Sequence, residues 1–109
     1  MTNTNYIVCI VKILESPIKK SFNKNVSAIQ FRAQLPNTRN NRIINLAFWG
    51  NLVRDVEEYY KVNDYVIIEG YVSVCSKKVI HSTVQNSKMV KVTVSKIYPF
   101  LLSSDRSIN

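Results

Sequence analysis

One short segment of this 109-residue chain has helical period, and its position among the other segments constrains the fold more than any other feature. From Leu52 the apolar side chains recur as Leu52, Val56 and Tyr59, at i, i+4 and i+7. Val53 and Tyr60 flank that stripe, while Arg54, Asp55, Glu57 and Glu58 turn to water. The predicted helix is about two and a half turns long and ends near Lys61. Asn51 is placed to cap it by accepting a hydrogen bond from a free N–H of the first turn. Asn63 suits the left-handed conformation that follows a helix end.

Everything around this helix alternates with the period of a strand. Residues 6–14 carry Ile7, Cys9, Val11 and Ile13 on one face and Tyr6, Val8, Ile10 and Lys12 on the other. Both faces are largely apolar, so this strand is expected to be covered on both sides or paired with another chain. Glu15-Ser16-Pro17 ends it, because proline lacks a ladder donor. A basic step, residues 19–22, leads through Asn23-Lys24-Asn25 to a second strand, residues 26–35. There Ile29, Phe31, Ala33 and Leu35 oppose Gln30, Arg32 and Gln34, the pattern of a sheet with one wet face. Residues 36–42 make a polar, basic loop. Residues 43–49 alternate again: Ile44, Leu46 and Phe48 against Ile43, Asn45, Ala47 and Trp49. After the helix, residues 65–74 and 88–97 supply two more strands, joined by a polar hairpin arm over residues 75–87. A glycine inside the fourth strand, Gly70, marks a bend or a close backbone approach.

Three strands, one short helix and two strands form the element order of the OB-fold, a five-stranded Greek-key barrel with its helix between strands three and four. This all-β domain is expected to span residues 1–102, with 103–109 a short polar tail. The length allows one domain, and 46% apolar residues exceed what a disordered chain carries.

The charge narrows the partner. With 15 Lys and Arg against 7 Asp and Glu, the net charge of +8 favours a polyanion. Single-strand binding needs cations along a groove and π-faces on which bases stack. Trp49, beside Asn45 and Ile43 on the polar-leaning face of the third strand, is the foremost stacking candidate; plugging the barrel end is its structural alternative. Tyr65 and Tyr71 point outward at matching parity and suit either stacking or a subunit interface, whereas Tyr59 and Tyr60 are expected in the core. Arg32, Arg39, Arg42, Lys77, Lys78 and Lys91 are the cation candidates. The two loops that flank an OB-fold binding face hold Lys19, Lys20 and Lys24 in one and Lys77 and Lys78 in the other.

Signals for other classes are missing. The chain has no phosphate-binding glycine loop, no H-E-x-x-H and no G-x-S-x-G. Its cysteines, Cys9 and Cys75, lack C-x-x-C spacing, and they read as buried thiols in a reducing compartment. Its one histidine is His81. No enzyme activity, metal, cofactor or small-molecule substrate is therefore expected. No apolar run reaches 18 residues, so no membrane span is expected. The opening residues lack a basic or apolar leader pattern.

The segment from Phe48-Trp49-Gly50-Asn51-Leu52 through Tyr65-Val66-Ile67-Ile68-Glu69-Gly70 resembles the bacterial single-stranded-DNA-binding protein family. That family carries an aromatic-Gly-x-Leu step into its helix and a Val-x-Val/Ile-Glu-Gly strand after it. The helix exit is similar too, with Asn63 where the family has glycine, and so is the opening, Asn5, an aliphatic strand, then Ser16-Pro17. The resemblance covers nearly the whole chain, from about residue 5 to 102. It implies an OB-fold that assembles as dimers or tetramers and wraps single-stranded DNA with little sequence preference, in support of replication, repair and recombination. Trp49 matches a base-stacking position. Three departures accompany it: Ile43 and Lys77 lie where stacking tryptophans are common, and the chain ends without the acidic tip that recruits partners. A short, tailless chain rich in Asn, Ile and Lys looks most like the plastid-encoded algal branch, which implies the plastid stroma, or otherwise a bacterial-type cytoplasm. Two other readings stay open: an OB-fold primosome accessory acting mainly through protein contacts, and an RNA-binding OB module.

Overall fold

The computed structural model describes residues 5–21, 27–36, 42–77 and 87–103, and for 19–21, 75–77, 87 and 88 it describes the backbone. The elements follow in the order β1 (Tyr6–Ile13), β2 (Lys19–Ser21), β3 (Ser27–Leu35), β4 (Arg42–Trp49), α1 (Asn51–Tyr59), β5 (Tyr65–Lys77) and β6 (Ser87–Leu101). The sheet runs β1-β5-β6-β4-β3-β2, and an additional β1–β3 pairing closes β1, β3, β4, β5 and β6 into a barrel. Closure rests on Lys12 opposite Gln34 and Ile13 opposite Ala33. All pairings are antiparallel except β4 with β6. This is the expected OB-fold, with the helix between the third and fourth long strands.

Strand alternation delivers the core. Val11 and Ile13 from β1, Ile29 and Phe31 from β3, Leu46 and Phe48 from β4, Val66 and Ile68 from β5 and Val92 from β6 are all buried. Phe31 and Phe48 stack with their ring centres 5.4 Å apart. Helix α1 closes one end of this core, and here two expectations are corrected. Its N-cap is Gly50, at φ 66°, with no side-chain cap, so Asn51 is the first helical residue rather than the cap. Its buried stripe is Val53, Val56 and Tyr60, while Leu52 is partly buried and Tyr59 is exposed. Val56 is common to the expected and the observed stripe, and the flanking Val53 and Tyr60 take the inward places given to Leu52 and Tyr59. Asn63 is left-handed as expected, at φ 75°.

Two further features depart from the sequence reading. The basic step after Pro17 is a short strand, β2, laid against β3 with Lys19 opposite Ile29. The expected polar arm is strand at its base, since β5 and β6 stay paired out to Lys77 and Ser87. Residues 78–86, the rest of that arm, lie outside the described residues, as do 104–109 of the expected tail.

Asp64 was not singled out in the sequence, yet it is fully buried. Its carboxylate accepts hydrogen bonds from the backbone N–H of Lys61 at 2.9 Å and of Ser103 at 2.7 Å. Its carbonyl accepts from the N–H of Ile13, and the neighbouring Asn63 N–H donates to the Ile13 carbonyl. Bonds to an ionised acceptor are stronger than neutral ones. The carboxylate therefore ties the helix exit to the end of β6, while the backbone of Asn63 and Asp64 holds the end of β1.

Candidate nucleic-acid interface

The outward residues of β3, β4, β6 and β5 make one surface. Directly opposed residues on neighbouring strands share a face of the sheet, so the register fixes which side chains form a row. Arg32 on β3 opposes Asn45 on β4, which opposes Lys91 on β6, which opposes Ser73 on β5. The next row runs Gln30, Ala47, Thr93 and Tyr71. Ile43 and Trp49 stand at the two ends of β4 on this face, 49% and 43% exposed. Trp49 therefore does not plug the barrel. Its ring lies at the surface, beside the glycine that opens α1.

Four of the predicted site residues, Arg32, Asn45, Lys91 and Tyr71, thus meet in two adjacent rows, flanked by Ile43 and Trp49. Arg42 begins β4, exposed, opposite Leu35. Lys77 lies on the outer end of β5, and only its backbone is described. Arg39 and Lys78 lie outside the described residues.

One predicted cation is engaged. The Arg32 side chain donates through Nε to Glu15 at 2.9 Å, and the Arg32 backbone N–H donates to the other Glu15 oxygen at 2.8 Å. Both side chains are about half exposed, so the ion pair is weak, and a phosphate can compete for the guanidinium. Its effect is to orient Arg32 along the sheet.

The far side of the face is formed where β1 meets β5. Tyr6 opposes Tyr71 across β1 and β5, and the rings meet edge to face at 5.0 Å. The Tyr6 hydroxyl donates to Glu69 at 2.7 Å. Glu69 holds this tyrosine and has Lys96 across the ladder. Between Glu69 and Gly70 the register slips by one residue, leaving Ser95 unpaired as a bulge. The Ser95 hydroxyl donates to the Glu69 carbonyl at 3.1 Å. Gly70 makes the bulge possible, because a Cβ there would sit 2.2 Å from the Thr93 carbonyl oxygen.

Burial pushes the Cys9 thiol up, which keeps it protonated and unreactive at neutral pH. Among the described residues no three of His, Cys, Asp and Glu gather to hold a metal ion, and no helix is long and apolar enough to cross a membrane.

Comparison with known proteins bears on the family and the fold. No protein-family model matches the chain. The candidate single-stranded DNA-binding protein ycf41 of Trieres chinensis is 40% identical over 104 residues, covering 92% of both chains. The chain belongs to the single-stranded DNA-binding protein family. Solved members of the fold agree. The small single-stranded DNA-binding protein of Streptomyces coelicolor superposes with a TM-score of 0.75 over 92% of this chain and 97% of its own, at 16% identity. The mitochondrial single-stranded DNA-binding protein Rim1 of S. cerevisiae gives 0.74 over 94% and 100%, at 8% identity. At such identities the likeness speaks for the barrel alone. Family membership rests on the Trieres relative, and it agrees with the resemblance carried by the Trp49-Gly50-Asn51-Leu52 step and the Glu69-Gly70 strand.

Proposed function

We propose that the protein binds single-stranded DNA with little sequence preference across the β3-β4-β6-β5 face, as a binding protein rather than an enzyme, in support of replication, repair and recombination. One observation carries this reading: the Arg32–Asn45–Lys91 row lies between the exposed Ile43 and Trp49 and beside Tyr71, so cations and π-faces adjoin. The Arg32 and Lys91 cations of the row take the phosphates, and bases stack at Trp49. Cations and stacking faces suit the reading of backbone and base faces rather than of one base sequence. The relative from Trieres and the Asn-, Ile- and Lys-rich composition support a plastid setting.

Titration of the intrinsic fluorescence with oligo-dT tests this directly, because Trp49 is the sole tryptophan. Quenching is expected, with an affinity that falls steeply with salt, at a log–log slope of about −0.7 per phosphate neutralised. Absence of quenching, with no binding by anisotropy of a labelled oligonucleotide, would leave the family fold serving protein contacts instead.

The same reading includes self-association. On the outer face of β1, Val8 is 59% exposed, and a shallow apolar groove runs past Val8, Ile10, Ile67, Leu35 and Pro36. β1 meets β3 only from Lys12 onward. Before that point its second edge carries no strand among the described residues, and such an edge is a template for pairing. A second copy's β1 fits it, burying Val8 and Ile10. Light scattering at tens of micromolar should return a dimer or tetramer of the 12.6 kDa chain, and Val8→Glu should return the monomer. A monomeric wild type would remove this part of the proposal.

A further inference from the structure

We infer that Tyr6 and Tyr71 form a second base-stacking step, and that a bound single strand crosses from Trp49 on β4, over β6 and β5, to β1. The inference rests on the single-strand reading above and extends it to Tyr6, which the sequence placed on the outer face of the first strand with no role of its own. The register puts Tyr6 at the end of the Gln30–Ala47–Thr93–Tyr71 row, so it belongs to the same continuous outer face. The side chains of that row between β3 and Tyr71 are small, Ala47, which is buried, and Thr93, which is partly exposed. Both tyrosine rings are open to solvent, at 37% and 41% exposure.

Two anchors fix this pair. The Asn5 amide donates to the Val72 carbonyl at 3.1 Å, and the Val72 N–H donates to the Asn5 carbonyl at 2.8 Å, pinning the start of β1. At the other end of the ring, Glu69 takes the Tyr6 hydroxyl. A ring held in place stacks a base without first losing its own rotamer freedom. The edge-to-face contact leaves a π-face available, whereas a parallel stack would cover one face of each ring. Neutral aromatic stations beside the lone acid Glu69 suit a base rather than a phosphate, and Lys96 across the ladder suits the backbone beyond it.

Strands are about 4.8 Å apart, so Tyr6 lies about 14 Å across the sheet from β4. A very short oligonucleotide seated at Trp49 does not reach it, and a longer one does. Wild type should therefore bind longer oligo-dT more tightly than its added phosphates alone explain, as judged by the salt slope. Tyr6→Leu and Tyr71→Leu should each weaken the long oligonucleotide by roughly five- to a hundredfold and leave the shortest binding oligonucleotide unchanged. Tyr6→Phe, which keeps the ring and loses the Glu69 bond, should retain most of the length effect. In the wild-type protein, oligo-dT carrying 5-iodouracil should crosslink on irradiation to peptides containing Tyr6 or Tyr71. The inference is overturned if the leucine variants keep wild-type affinity at every length, if they weaken short and long oligonucleotides equally, or if Tyr6→Phe loses as much as Tyr6→Leu. It also falls if the wild-type crosslinks map elsewhere. Failure of wild type to bind any oligo-dT would instead remove the single-strand reading itself.

Discussion

Gly70→Ala is expected to lower stability by about 3 kcal/mol or more, the upper end of what overpacking costs. The added methyl would meet the Thr93 carbonyl oxygen at 2.2 Å and the Thr93 carbonyl carbon and Val94 Cα at 2.9 Å. All three are backbone atoms of β6, so no side chain can swing aside to admit it. The β5–β6 ladder must part at its bulge, beside the Glu69–Ser95–Tyr6 group. Against a total stability of about 5–15 kcal/mol, that is a large fraction. In a thermal melt followed by circular dichroism it corresponds to a fall of about 15 °C. Gly50→Ala is the control. Nothing lies within 4 Å of a Cβ there, so it carries only the cost of the left-handed φ of 66°, about 1–3 kcal/mol. A Gly70→Ala protein that melts with wild type would mean that β6 moves away at little cost, and the close approach would lose its significance.

Trp49→Ala should reduce affinity for oligo-dT by roughly five- to a hundredfold, the worth of one stacked base. The ring is 43% exposed at the end of β4 and is the largest π-face on the proposed interface. Because the substitution removes the only fluorescent reporter, anisotropy of a labelled oligonucleotide is the measurement. The salt slope should stay near the wild-type value, since no cation is lost. Unchanged affinity would mean that the strand runs elsewhere on the barrel. A reduced slope would mean that the variant had disturbed the cation row rather than a stacking site. Trp49→Phe should recover part of the loss, because a smaller ring still stacks.

How far the sequence alone reached can be seen residue by residue. Strand alternation placed Ile44, Leu46 and Phe48 inward and Ile43, Asn45 and Trp49 outward, and each lies as expected, because a buried core face leaves only one parity open. It could not align Arg32 and Asn45 with Lys91. That row depends on the parallel β4–β6 register, a non-local pairing with no turn between the strands to fix it. The helix was legible, but its buried stripe was partly misplaced, since Val53 and Tyr60 flank Val56 as closely as Leu52 and Tyr59 do and only the packing against the barrel decides between them. Tyr6 was given no role, because its partner Tyr71 lies 65 positions further on in the chain, beyond any local pattern. Asp64 was missed for a related reason. A single acid after a turn reads as surface, and its burial depends on the N–H of Ser103, delivered by the last strand.

The pairing of β1 with β5 also sets an order on how the chain comes into being. β1 leaves the ribosome first, yet the residues it pairs with, from Tyr65 to Tyr71, follow more than fifty residues later. At roughly 5–20 residues per second, synthesis takes on the order of 3–10 s to cover that distance. Throughout that time an apolar strand, Ile7-Val8-Cys9-Ile10-Val11, waits without its partner. Contacts this distant in sequence also form slowly once both strands exist, on the millisecond-to-second scale of barrels dominated by non-local pairing. The nascent chain is thus a natural client for a chaperone that shields extended apolar segments, and its yield in cell-free synthesis should depend on one.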